Sequence, residues 1–339
     1  MRLLLLGFGT VGQGLAELLI DKRDALKKDY DLKLKVVGIA DMLKGSIVKR
    51  GGIDLAAALD AAKHGRKLTE LGGAFDGDAL AMVKSVDADM LVEMTYTDIK
   101  TGEPATSHIR AALKKGMHVT TTNKGPLALN YHELAKLARK HKAKLLYEGT
   151  VMSGTPVLNL VRETLAGTTV TGIKGILNGT TNYILTCMEE GMSYDVALKQ
   201  AQEKGYAEAV PDADVLGWDA LAKVTILANT VFGAEIKPAD FPCKGITEIT
   251  SEAIRDAKAR GKRFKLIGKV WRKGEKVQGS VGPEEIDLSH PLAGVMGATN
   301  ALTITTDTLG DVTIVGPGAG RKETGFSTLV DIIAAGGAK

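Results

Sequence analysis

The chain opens MRLLLLGFGTVG, and residues 2–12 of this stretch decide how its first half is read. Residues 2–6 (RLLLL) form a short apolar run. It is too short for a signal sequence or a membrane span, but it suits a strand buried on both faces. Gly7-Phe8-Gly9-Thr10-Val11-Gly12 follows at once, and Val11, Leu15, Leu18 and Leu19 then recur at helical spacing. The glycines therefore fall where a strand turns into a helix. Gly7 permits the tight turn, Gly9 lets a pyrophosphate approach the backbone, and Gly12 lets the helix pack close to the strand. Phe8, Thr10 and Val11 complete the candidate loop, and the helix N-terminus offers N–H groups to phosphate.

The pattern continues downstream. Residues 34–40 read as a second strand ending at Asp41. An acid there accepts hydrogen bonds from an adenosine ribose, which favours NAD. Lys44, Lys49 and Arg50 follow and could instead hold a 2′-phosphate, so NAD and NADP both stay open. Residues 51–85 read as helical and polar. Strands are expected at 90–94, 118–122 and 144–147, with helices at 104–116 and 131–141. Such alternation implies a doubly wound parallel sheet of the Rossmann type. Ligands bind outside the carboxyl ends of strands in such sheets. That places Lys124, in Asn123-Lys124-Gly125-Pro126, near a bound nicotinamide; the alternative is a solvent lysine in a turn.

Composition narrows the function classes. With 339 residues the chain is long enough for two domains. Charged residues make up 25% and apolar residues 44%, as in soluble globular enzymes. A formal charge of +4 without a basic run, and only 4% aromatics, argue against nucleic acid as a partner. Cys187 and Cys243 form no CxxC and read as reduced thiols. No segment reads as a membrane anchor, so a cytoplasmic location is expected.

From Glu148 the texture changes. EGTVMSGTP (148–156) is small, polar and glycine-bearing, and it precedes an expected helix at 157–165. Such a loop can turn several carbonyls toward a hard cation, although a plain helix-entry turn is the more common meaning. A strand at 170–177 leads into Asn178-Gly179-Thr180-Thr181-Asn182, where Asn178 suits a helix N-cap. Residues 264–271 and 276–281 look like paired antiparallel strands, and strands expected at 302–306 and 312–315 complete an α+β domain with a mixed sheet. Gly316-Pro317-Gly318-Ala319-Gly320 precedes a last helix at 326–335.

Chemistry concentrates in GYAEAVPDADVLGWDALAK (205–223). Asp219 and Lys223 are four apart and share a helix face. They read either as an exposed ion pair or as a reaction site, in which a lysine stabilises or protonates a developing alkoxide. Glu208 and Asp214 could bind a substrate ammonium.

Taken in order, GFGTVG (7–12), TTTNKGPLA (120–128), EGTVMSGTP (148–156), GILNGTTNYIL (175–185), GYAEAVPDADVLGWDALAK (205–223) and GPGAG (316–320) resemble homoserine dehydrogenase over nearly the whole chain. The resemblance implies NAD(P)-linked interconversion of L-aspartate 4-semialdehyde and L-homoserine, on the route to threonine, methionine and isoleucine. It implies Lys223 as proton donor and Lys124 as a second active-site lysine near nicotinamide and substrate. It gives Glu208, Asp214 and Asp219 to substrate binding, with Tyr206 at the site's edge. Gly205, Thr95 and Gly320 fall on the cofactor side. Glu148, Val151, Ser153 and Thr155 match positions that bind sodium, largely through backbone oxygens. A nucleotide-binding domain at 1–147, completed by 316–339, and a catalytic and dimerisation domain at 148–315 are expected, in a homodimer. No kinase or regulatory domain is expected. Val210 stands where the family usually has an acid. The remaining alternatives are another amino-acid-linked NAD(P) oxidoreductase and a non-catalytic NAD(P)-binding sensor.

Overall fold

Strand β1 (Arg2–Leu6) explains the layering of the first half. Its four leucines are fully buried, and they alternate between two cores. Leu3 and Leu5 face one cluster; Leu4 and Leu6 face the other. A strand with period two and both faces apolar must lie inside a sheet covered on each side. The computed structural model, which describes residues 1–96 and 98–337, has this arrangement.

Helices α1 (Thr10–Asp21) and α2 (Arg23–Tyr30) follow β1. Next come β2 (Lys35–Asp41), β3 (Gly45–Val48), α3 (Leu55–Lys63), α4 (Ala79–Ser85) and β4 (Met90–Glu93). The series ends with α5 (Ala105–Lys114), β5 (His118–Thr121), α6 (Lys124–Lys140) and β6 (Leu145–Leu146). The sheet order is β3-β2-β1-β4-β5-β6, parallel except for the β2–β3 pair. Leu15, Leu19 and Ala58 cover the Leu3 face, while Met82, Ile109 and Leu134 cover the Leu4 face. The order reverses between β1 and β4, and that switch point is where doubly wound sheets bind ligands.

The second half is built on an antiparallel sheet. Its strands are β7 (Val170–Ile176), β8 (Lys262–Lys273), β9 (Lys276–Asp287), β10 (Thr299–Thr306) and β11 (Gly310–Pro317). Helices α7 (Gly179–Glu189), α8 (Tyr194–Glu203), α9 (Asp212–Val215), α10 (Trp218–Thr230) and α11 (Ser251–Ala259) lie between β7 and β8 in sequence. The sheet, expected to be mixed, is antiparallel at every strand pairing, in the order β11-β10-β7-β8-β9. Its ends are closed by hairpins. Gly274, at φ +62, turns β8 into β9 with Lys273 opposite Lys276, and such short loops produce only antiparallel neighbours.

The last helix, α12 (Arg321–Gly336), contributes Leu329 and Ile332 to the core around Leu3. Two compact units result: Met1–Gly154 with Gly320–Lys339, and Thr155–Ala319. The helix expected at 157–165 is present at 158–164, but it widens into a π turn over Leu160–Thr164. The helix expected from 131 begins at Lys124, with non-helical angles at Asn130. Among the described residues no helix is long and apolar enough to cross a membrane.

Candidate active site

The glycine loop has the geometry its sequence requires. Gly7 has φ +89, and a Cβ there would lie 2.4 Å from the Met94 carbonyl oxygen. A Cβ on Gly12 would lie 2.4 Å from the Gly7 carbonyl oxygen, so α1 sits directly against the turn. Gly9 differs: a Cβ there would meet nothing within 4 Å. Gly9 is also the N-cap of α1 and supplies no side-chain cap, and no acid occupies the first turn. Open space above a backbone at an uncapped helix N-terminus, followed by Thr10 and Val11, fits a dinucleotide pyrophosphate.

Asp41 ends β2 beside this loop. Its carboxylate accepts the N–H groups of Phe8 at 2.8 Å, Leu43 at 3.0 Å and Lys44 at 2.9 Å. The Lys44 ammonium is 3.8 Å away. Lys49 and Arg50 do not join it. Antiparallel β3 runs from Gly45, opposite Asp41, to Val48, opposite Gly38. Four strand residues carry the chain back roughly 13 Å toward the amino end of β2. There the Lys49 ammonium donates to the Leu71 carbonyl at 2.5 Å. The spacing in sequence suggested a basic cluster, but the unforeseen hairpin disperses it.

At the switch point Thr95 is held by a residue that the sequence reading passed over. Glu93, fully buried at the end of β4, accepts the Thr95 N–H at 3.2 Å and its hydroxyl. Thr121 of β5 donates to the other carboxylate oxygen at 3.1 Å. Asn123 donates to the Tyr96 carbonyl at 3.0 Å. The signal was available: MLVEM places one acid at the carboxyl end of an otherwise apolar strand. Lys124 starts α6, next to Asn123.

The 148–155 loop has unusual backbone. Met152 and Ser153 have φ of +58 and +55, uncommon for residues with a Cβ and typical of strained functional loops. Glu148 and Val151 are buried, and the Glu148 N–H donates to Asp331 at 3.1 Å. The Ser153 and Thr324 hydroxyls are 2.7 Å apart. Thr155 belongs to the second unit, where its hydroxyl donates to the Pro317 carbonyl at 2.9 Å. Gly320 lies at the N-terminus of α12.

In the second unit Asp214, Asp219 and Lys223 converge. The apolar spacing suggested a helix with one wet face, but α10 is buried continuously from Ala220 to Asn229. Lys223 is thereby only 7% exposed, so the exposed-pair alternative fails. Its ammonium donates to Asp219 at 2.8 Å and to the Leu177 carbonyl at 2.5 Å. Asn178 donates to Asp214 at 2.6 Å and to Asp219 at 2.9 Å. An ammonium has three N–H donors, so one is left for a substrate oxygen.

Burial, and then the Asp219 charge, push the Asp214 carboxyl up; Asn178, Lys223 and Thr180 oppose this. A carboxyl raised above its unfolded value adds stability at low pH that is lost as pH rises through the folded value. Asp214→Asn is therefore expected to melt higher than the parent at pH 7. The gap should close near pH 4, about the unfolded value of an aspartate. Melting curves from pH 4 to 8 test this, and a variant that melts lower at every pH contradicts it.

Tyr206 borders this region, and Glu208 follows two residues later without a hydrogen bond to Asp214, Asp219 or Lys223 among the described residues. The Thr180 hydroxyl donates to the Tyr206 carbonyl at 2.6 Å, and the Tyr206 and Tyr183 rings lie 5.0 Å apart. Gly205 precedes them with φ +74. Glu208 is exposed, and among the described residues its carboxylate has no hydrogen-bond partner. Val210, 73% exposed, projects from the same loop. The candidate residues thus form two sets. The glycine loop, Asp41, Thr95 and Lys124 are in the first unit; Tyr206, Glu208, Asp214, Asp219 and Lys223 are in the second.

Comparison with known proteins agrees over both halves. Residues 156–333 match the family model for homoserine dehydrogenase, and residues 7–148 match its NAD-binding domain. An NAD(+)-dependent homoserine dehydrogenase of Pseudomonas canavaninivorans is 46% identical, covering 98% of this chain and 95% of its own. A solved structure from Archaeoglobus fulgidus, described as a provisional homoserine dehydrogenase, is 40% identical with a TM-score of 0.89, covering 100% of both chains. A hyperthermophilic archaeal homoserine dehydrogenase in complex with NADPH is 32% identical with a TM-score of 0.85, covering 98% of this chain and 97% of its own. With its glycine loop, its buried lysine and these matches along its whole length, the chain belongs to the homoserine dehydrogenase family.

Proposed function

We propose that this chain interconverts L-aspartate 4-semialdehyde and L-homoserine, with Lys223 as the proton donor to the carbonyl oxygen. The observation that carries this reading is the buried Lys223 ammonium, held by Asp219 and Leu177 with one N–H unspent. A bound NADH or NADPH would supply the hydride in reduction, and NAD(+) or NADP(+) would accept it in oxidation. As charge grows on the substrate oxygen, the ammonium stabilises it and gives up a proton. The family resemblance gives Lys124 the role of a second active-site lysine. Glu208, Asp214 and Asp219 recognise the substrate's ammonium, and Tyr206 closes the edge of the site. A nucleotide sensor needs no such ammonium, and this argues against the non-catalytic alternative.

NAD is the favoured cofactor. A 2′-phosphate beside Asp41 would face a carboxylate that three backbone N–H groups hold in place, with Lys44 at 3.8 Å and the Lys67 ammonium on the Leu43 carbonyl offsetting part of the repulsion. Turnover of aspartate semialdehyde by this chain is expected to show kcat/KM with NADH roughly tenfold or more above that with NADPH, about 1.4 kcal/mol of like-charge repulsion. Parallel kinetics with both cofactors test the activity and the preference together. No turnover with either sinks the function; equal efficiency sinks the preference.

A sodium ion at Glu148, Val151, Ser153 and Thr155 belongs to the same reading, supported by the left-handed backbone at Met152 and Ser153. Among the described residues no three His, Cys, Asp or Glu side chains form a metal-holding group, so a cation here would rest on carbonyl and hydroxyl oxygens. A cytoplasmic homodimer, with threonine, methionine and isoleucine as eventual products, completes the proposal and rests on the family resemblance.

A further inference from the structure

We propose that Asn178 is a positioning residue for the reaction: one side-chain amide fixes Asp214 and Asp219 together and, through Asp219, aims the Lys223 ammonium. This rests on the function proposed above. Asn178 sits where β7 ends and α7 begins, and it is 4% exposed. Its Oδ1 accepts the Thr181 N–H at 2.9 Å and the Thr181 hydroxyl at 2.9 Å, which is the N-cap its sequence position suggests. Its Nδ2 then has both protons directed at carboxylates, 2.6 Å from Asp214 and 2.9 Å from Asp219. The amide orientation is dictated by these partners. A flipped amide would set an oxygen against two carboxylates and an NH₂ against the Thr181 N–H.

The same Asp219 oxygen that accepts from Asn178 accepts from Lys223. Leu177, the residue before Asn178, supplies the other acceptor for the ammonium. Two consecutive residues at one strand-to-helix junction therefore control both fixed bonds of the lysine. The choice of an amide has a chemical reason. Two adjacent carboxylates need two donors. A lysine or arginine would supply them, but it would also neutralise the acids that must attract the substrate's ammonium. An asparagine supplies two N–H groups and leaves the negative charge intact.

Capping and positioning can be separated by Asn178→Ser. Serine caps helices about as well as asparagine, so α7 should hold. It cannot reach two carboxylates. The expected result is a folded variant whose melting temperature matches the parent near pH 4 and falls below it at pH 7, with a kcat lower by roughly 10- to 100-fold, in line with loss of hydrogen bonds to charged groups. The second readout needs no turnover. Asp214 faces Asp219 and Lys223 from α10, and Asn178 and Thr180 from α7. Losing a donor to its charged form should move its carboxyl titration upward, seen by carbon-13 NMR with Asp214→Asn as the assignment control.

A kcat within threefold of the parent, or an Asp214 titration that does not move, overturns the proposal. If the serine variant does not fold, Asn178→Asp decides. It also caps the helix but adds a third carboxylate, and its kcat should fall further and recover partly at lower pH; an unshifted pH profile overturns the role. If the parent chain shows no turnover of aspartate semialdehyde, the functional reading fails by itself, and the titration still decides whether Asn178 holds the acids.

Discussion

Replacing Lys223 by alanine is expected to lower kcat for aspartate semialdehyde reduction by about 10²- to 10⁴-fold, the usual range for losing a positioned general acid. KM for the dinucleotide should change little, because the glycine loop and Asp41 belong to the other unit. The substitution removes the ammonium 2.8 Å from Asp219 and leaves Asp219 and Asp214 without it. Breaking a buried ion pair from one side costs about 3–5 kcal/mol, so stability has to be measured in parallel. Lys223→Arg then separates charge from proton transfer. A guanidinium keeps positive charge beside Asp219 but does not give up a proton at working pH. Both variants should be slow, and only the alanine variant should be markedly unstable. An alanine variant that keeps more than a tenth of the parent kcat would remove the proton-donor role.

Gly9→Ala and Gly7→Ala are expected to fail in opposite ways, although the two glycines are two residues apart. At Gly9 the backbone angles, φ −79 and ψ −150, suit alanine, and the added Cβ meets nothing. The protein should fold with an unchanged melting temperature. The methyl group would occupy the space above the helix N-terminus, where a pyrophosphate approaches, and KM for NADH should rise roughly 10- to 100-fold, the worth of about 1.4–3 kcal/mol of binding. At Gly7 alanine takes on a left-handed φ of +89 and a Cβ only 2.4 Å from the Met94 carbonyl oxygen. Strain of about 1–3 kcal/mol from the angle alone, with the overlap added, should lower stability before any cofactor is present. Dinucleotide titration and thermal melting of the two variants give the comparison. An unstable Gly9→Ala, or a Gly7→Ala as stable as the parent, would show the loop to be built differently.

The dinucleotide half was legible because its signals are local. RLLLL, followed at once by GFGTVG, states a strand, a turn and a helix within a few residues, and period-two burial then forces a covered sheet. Asp214, Asp219 and Lys223 were legible as a group, since Asp219 and Lys223 lie one turn apart on a single helix and Asp214 lies in the short helix just before it. What the spacing left open was whether Asp219 and Lys223 face water. That depended on α10 being covered on all sides, a property of its neighbours and not of its own sequence. Lys49 and Arg50 misled for a related reason: nearness in sequence became distance once β3 folded back along β2.

The antiparallel pairing of β8 with β9 was legible from two apolar runs joined by a short turn, but the direction of the other pairings was not, because it is set by how longer connections return. Glu93 and Asn178 were visible as an acid ending an apolar strand and as a helix cap. Their other partners, Thr121 for one and Asp214 and Asp219 for the other, are 28 to 41 residues away in the chain. The sequence by itself thus determined which chemical groups this protein has and the local geometry of its glycine loop. Only the tertiary structure decided which of those groups are buried and which of them touch, because burial and long-range hydrogen bonds arise from segments that meet on folding.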